Sequence, residues 1–190
     1  MTRFDRADLI DGLRDVVRVA HERGLDQVSI RIVGGAALRL AHFERETTTD
    51  IDAQIQPLGE MATVIGEIAR ERGWPEDWLN SKATMFLPSW GKAVDWIPVY
   101  DDGRVSVWIA PIDALLAMKL NAARPGRDTD DIAQLLTLNN VTSVEDAETL
   151  FDSFYPGEAL SDRALRLIER IFAIGLPPRA DVVPSISLEL

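Results

Sequence analysis

The sequence contains no cysteine and only two histidines, His21 and His42, among its 190 residues. The first absence excludes a disulfide framework, a thiolate zinc site and a cysteine nucleophile, and it agrees with a reducing compartment. The scarcity of histidine excludes a histidine-rich metal site. Positive charge is in deficit: 20 Lys and Arg face 31 Asp and Glu, a formal net charge of −11. There is no broad electrostatic footprint for nucleic acid, so double-stranded DNA is not expected as a partner. An anionic substrate would have to be held through a divalent cation or a local basic patch. No stretch approaches the ~20 apolar residues needed to span a bilayer. Residues 1–13 lack the apolar core of a secretory signal. The expectation is a cytoplasmic protein that makes no membrane contact, and 46% hydrophobic residues suffice for one buried core with a helical appendage.

Periodicity gives a coarse layout. Leu9, Leu13, Val16, Val17 and Ala20 repeat at three- and four-residue steps, predicting a helix over 4–23 closed by Gly24. Val28, Ile30 and Ile32 alternate, predicting a strand over 27–33 that runs into Gly34-Gly35 and a short helix over 36–43. A strand over 50–55 and a helix over 60–72 follow, then strands over 83–87, 93–99 and 104–109, the last two joined through Asp101-Asp102-Gly103. From Pro111 onward the period is helical, with helices over 111–123, 129–139, 143–154 and 161–173. The expected fold class is α+β: a mixed sheet of about five strands flanked by helices over 1–110, a helical bundle over 111–176, and an irregular tail over 177–190.

The sharpest pattern is Gly34-Gly35 at a strand–helix junction, followed by Asp50-Ile51-Asp52 on the next strand. Carboxylates at i and i+2 of a strand share a face, ~6.6 Å apart along it, and can ligate divalent cations. A glycine pair opening a helix lets phosphate approach backbone N–H groups at its positive end. Each half also has a plain reading: a tight turn for the glycines, a solvated strand face for the acids. Asp95 stands alone in the apolar run Ala93-Val94-Asp95-Trp96-Ile97-Pro98-Val99. Read by itself, it is the partner of Lys92 or a nearby arginine. Lys119 falls on the apolar helix Leu115-Leu116-Ala117-Met118-Lys119-Leu120, where it either snorkels to solvent or reaches a phosphate. Asp128, Asp130 and Asp131 suit the start of the following helix, and Asp131, beside Ile132, is the one expected to hold Lys119 or Arg124. The five tryptophans read as core, with Trp90 or Trp78 as candidate base-stacking residues and Trp78 with Leu79 as a candidate interface.

Ile32-Val33-Gly34-Gly35, then fourteen residues, then Asp50-Ile51-Asp52, resembles the signature of the DNA polymerase β-like nucleotidyltransferase superfamily. Lys119 through Ala123-Arg124, then Arg127-Asp128-Thr129-Asp130-Asp131-Ile132, is similar to a segment of bacterial nucleotidyltransferases of the AbiEii toxin type and their DUF6036-like relatives. The likeness covers residues 28–136. It implies a metal-dependent enzyme that moves a nucleoside monophosphate from an NTP to an acceptor hydroxyl. Asp50, Asp52 and Asp95 would ligate two Mg²⁺ ions, with Mn²⁺ as a substitute, and Lys119 would be catalytic. Gly34, Gly35, Arg45, Thr48, Thr49, Lys119 and Asp131 would bind the nucleotide. The implied acceptors are a tRNA 3′ end, a protein side chain or an antibiotic, with an antitoxin as a further partner. Two departures favour the alternative of a degenerate nucleotide-binding or protein-interaction module. Gly35 stands where many members carry serine, and Arg45 lies one step further from Asp50 than the usual arginine.

Overall fold

The computed structural model describes residues 3–44, 48–124 and 126–189. It divides into two compact units. The first comprises Met1–Met85, Trp96–Ala110 and Val182–Leu190, and the second Phe86–Asp95 and Pro111–Asp181.

The first unit is built on a five-stranded sheet. Strands β1 (Val28–Val33), β2 (Ile51–Gln56), β3 (Leu79–Asn80), β4 (Ile97–Asp101) and β5 (Val105–Ile109) lie in the order β3-β2-β1-β5-β4. β1 is antiparallel to β2 and parallel to β5, β2 is parallel to β3, and β4 is antiparallel to β5. The expected α+β class and mixed sheet are therefore found. Val28, Ile30, Ile32, Ile51, Ala53, Ile55, Val105, Val107 and Ile109 are all buried on one face. That face meets helices α1 (Arg6–Glu22) and α3 (Leu58–Arg72), which also pack on each other. α1 starts with a capping box between Asp5 and Asp8, and it buries Leu9, Leu13, Val16, Val17 and Ala20. Each of these buried leucines and valines stabilises the unit by about 1.5–3 kcal/mol relative to exposure. The alternate residues Ser29, Asp52, Gln54, Ser106 and Trp108 stay half-buried, and Arg31 and Gln56 are exposed.

Local chemistry moves some predicted elements. Helix α2 begins at Gly34 itself (Gly34–Ala37) and widens into a π-helical turn over Leu38–His42. The strand expected over 83–87 is instead a 3-10 turn, Lys82–Phe86. Thr84 donates from both N and Oγ1 to Ser81 O, at 3.2 and 2.7 Å, which offers the backbone a local alternative to a ladder. The short strand of this region is β3, just before it. β4 begins at Ile97, so Asp95 precedes the strand rather than lying within it, and it is exposed. Pro98 lacks an N–H and suits β4's place at the sheet edge. Trp78 is buried, with its indole N–H on Ile65 O at 3.2 Å, and Leu79 is buried beside it. Neither is available for base stacking or for an interface, because together with Phe4 and Trp74, Trp78 fills the core through edge-to-face contacts at 4.8 and 5.0 Å.

The second unit is helical: α4 (Ile112–Ala122), α5 (Thr129–Leu138), α6 (Val144–Phe154) and α7 (Asp162–Ile174). Its core contains Leu115, Leu116, Leu120, Ile132, Leu136, Phe151 and Ile168. Ser143 and Ser161 cap α6 and α7. Residues 86–95 join this unit. A Cβ at Gly91 would lie 2.4 Å from Ser153 O, Lys92 N–H donates to the same oxygen at 2.7 Å, and Lys92 Nζ pairs with Asp113 at 2.6 Å. Among the described residues, no helix is long and apolar enough to cross a membrane.

Candidate active site

The site is assembled where β1 ends. Val33 is extended (φ −131°, ψ −175°), and the chain then turns through Gly34 at φ +66°. A side chain is strained in that left-handed region, and glycine is not. The turn feeds α2, whose first turn no side chain caps. The π-helical turn beyond it is held by His42, whose Nε2 lies 2.8 Å from Ala110 O. That geometry assigns the ring proton to Nε2.

β2 brings the carboxylates to this turn. Asp52 pairs in register with Val33. A Cβ at Gly34 would stand 3.3 Å from Asp52 Oδ2, so the glycine both permits the turn and leaves room for the carboxylate. Asp50, immediately before β2, receives Thr49 Oγ1 on Oδ1 and Asn80 Nδ2 on Oδ2, each at 3.3 Å. Thr48 Oγ1 donates to the Asp50 carbonyl at 3.2 Å. The hydroxyls of Thr48 and Thr49 are therefore directed to Asp50. Asn80 is the register partner of Asp52 on β3. Both carboxylates are half-buried.

Two neighbours stand outside the glycine–aspartate motif. Asn80 orients Asp50, and its own Oδ1 accepts the N–H of Lys82 at 2.9 Å. Lys82 is exposed and ion-paired to Asp77, and the hydrogen bond to Asp77 raises its pKa, with Asp50 and Asp52 adding to the rise. A cation thus lies within electrostatic reach of both acids. No motif marks this lysine. Its signal is only its place just after a strand that pairs with β2.

Asp50 and Asp52 with Gly34, Thr48 and Thr49 form one corner of the first unit. Gly35 is the second residue of α2. Arg45 and Thr47 lie outside the described residues. Asp95 belongs to the second unit, where its charge adds to a rise in the pKa of Lys92 caused mainly by the hydrogen bond to Asp113. Among the described residues, no group of three or more His, Asp or Glu is placed to hold a metal ion.

Lys119 and Asp131 form a separate cluster within the second unit. Lys119 Nζ lies 2.8 Å from Asp128 and 2.8 Å from Asp131, and all three side chains are at most 7% exposed. Asp128 also takes Arg124 through Nε at 2.9 Å and Nη2 at 3.2 Å. Burial pushes the Asp128 carboxyl up, but the hydrogen bond from Arg124 and the charge of Lys119 outweigh it and hold it below its ordinary value. Asp128 sits at the N-cap of α5 and makes no capping bond, because its oxygens face Lys119 and Arg124 instead. Asp131 holds Lys119 as expected, and Asp128 is the more buried hub.

Residues 12–169 match one protein family, described as a nucleotidyltransferase of unknown function (DUF6036). No curated protein and no solved structure matches the chain.

Proposed function

The chain belongs to the DUF6036 nucleotidyltransferase family, and from that premise we propose that it transfers a nucleoside monophosphate from an NTP to an acceptor hydroxyl, releasing pyrophosphate. The observation that carries the reading is Gly34 giving way to Asp52 Oδ2, with Asp50 held beside it by Asn80. The residues present fit a divalent cation: two half-buried carboxylates are hard oxygen donors, and Mg²⁺ is commonly held by one or two of them together with substrate phosphates. Mg²⁺ or Mn²⁺ bound there would neutralise charge on the triphosphate.

The chain's own residues do the rest by positioning. The N–H groups at the start of α2, which no side chain caps, would donate to phosphate oxygens. Lys82, exposed and paired with Asp77, would supply positive charge for the triphosphate. As the acceptor oxygen bonds to the α-phosphorus and the bond to pyrophosphate breaks, the acceptor's hydroxyl proton would pass to a carboxylate base, the role that the family resemblance gives to Asp95. Lys119, engaged by Asp128 and Asp131, is proposed as a positioning residue. A tRNA 3′ end or a protein side chain is the proposed acceptor, which would make the activity toxin-like.

The test is incubation with Mg²⁺ and each α-phosphate-labelled NTP, with and without total tRNA. Label entering RNA or protein with the wild type, and lost with Asp52→Asn, supports the proposal. Transfer that survives Asp52→Asn overturns it. A second reading, nucleotide binding without transfer, is favoured by the lack of a three-acid group among the described residues. It predicts NTP binding with no label transferred.

A further inference from the structure

The sheet face that carries Asp52, opposite the one packed on α1 and α3, also carries an arginine–tryptophan pair. Arg31 on β1 is exposed. Its Cζ stands 5.5 Å over the centre of the Trp96 ring, and its Nη1 donates to Gln54 Oε1 at 3.4 Å. Trp96, half-buried, comes one residue before β4. Val33 pairs with Asp52 and Arg31 with Gln54. The guanidinium is therefore rooted one same-face step, ~7 Å along the strand, from the Asp52 position. Trp96 lies across β1 and β5 from β2, roughly three strand spacings or about 14 Å.

We propose that Arg31 and Trp96 form the seat of a nucleobase, a proposal that rests on the metal–triphosphate reading of the Asp50–Asp52 corner. An arginine meant for phosphate gains most from free, forked donors. Here the guanidinium stands over an indole and reaches a neutral amide, which places a π face with positive character on the sheet. Bases stack on such surfaces whatever their sequence. The seat lies on the same sheet face as Asp52, on the far side of β1. The base belongs either to the incoming NTP or to the end of a nucleic-acid acceptor, and the chemistry that recognises it is the same.

Calorimetric titration separates the sources. The wild type, Arg31→Ala, Arg31→Lys and Trp96→Leu would each be titrated, in Mg²⁺, with a non-hydrolysable purine NTP, inorganic tripolyphosphate and a short single-stranded oligoribonucleotide. If the seat takes the NTP base, all three variants weaken NTP binding about tenfold and leave tripolyphosphate unchanged. If it takes the acceptor base, NTP binding holds and oligonucleotide binding weakens about tenfold. Arg31→Lys, which keeps the charge and loses the plane, separates stacking from electrostatics: an unaffected Arg31→Lys overturns the seat. So does unchanged affinity for both the NTP and the oligonucleotide in Arg31→Ala and Trp96→Leu. A wild type that binds no tripolyphosphate overturns the metal–triphosphate reading instead, and the oligonucleotide arm then decides the seat by itself.

Discussion

Gly34 and Asp52 depend on each other: a Cβ on the first would stand 3.3 Å from Oδ2 of the second, at a backbone φ of +66°. Gly34→Ala therefore meets two penalties. Left-handed backbone costs a non-glycine residue about 1–2 kcal/mol, and the carboxylate must move a few tenths of an ångström. We expect a urea midpoint lowered in proportion and Mg²⁺-dependent NTP binding reduced further than stability explains. Unchanged binding in a folded Gly34→Ala would remove the corner from the site.

Lys82 is exposed, and removing it should leave stability nearly unchanged. We expect Lys82→Met to weaken Mg²⁺–NTP binding roughly tenfold while the urea midpoint stays within error. Equal affinity in variant and wild type would confine Lys82 to its ion pair with Asp77.

His42 makes stability respond to pH. Burial pushes its imidazole below the ordinary value, against a smaller upward pull from its hydrogen bond to Ala110 O. The folded state therefore favours the neutral ring, and the unfolded chain takes up the proton first, near pH 6.5. The contribution is complete above that pH and declines as pH falls through 6.5 toward the lower folded value. Denaturation curves between pH 7.5 and 5 should show this loss, and His42→Gln, which keeps an N–H donor, should flatten it. An unaltered slope in His42→Gln would assign the loss to other groups.

Asp128 is 1% exposed in its side chain and faces two cations. Asp128→Asn leaves Lys119 and Arg124 facing a neutral amide. Lys119 keeps Asp131, so the cost falls below the ~3–5 kcal/mol of a buried pair broken outright. The depressed carboxyl contributes stability above its unfolded value near pH 3.9 and loses it as pH falls through the lower folded value. Asp128→Asn should therefore be destabilised most at neutral pH, with the gap to wild type narrowing below pH 4. A constant gap across that range would mean that packing, not charge, sets the cost.

The strands and helices that could be read from the sequence were those with an uninterrupted apolar period, such as Val28-Ser29-Ile30-Arg31-Ile32 on β1 and the buried stripe of α1. The 3-10 turn at Lys82 was not legible, because it depends on Ser81 and Thr84 bonding locally rather than on apolar order. Nor was the late start of β4, since Lys92 N–H is bound to Ser153 O at the end of α6. In the site, the pairing of Gly34 with Asp52 followed from motif spacing. Asn80 and Lys82 arrive by strand pairing across a long sequence separation, which no local pattern records. Asp128 carried an ordinary helix-start signal, and only the fold shows that its side chain abandons the cap for Lys119.

The claim on which the others rest is that the Gly34, Asp50 and Asp52 corner holds a metal-bound triphosphate. Titration of a non-hydrolysable NTP into the wild type and Asp52→Asn, each with Mg²⁺ and with chelator, tests it most directly. The account predicts saturable binding only for the wild type with Mg²⁺. Equal affinity in the chelator, or in folded Asp52→Asn, would contradict it.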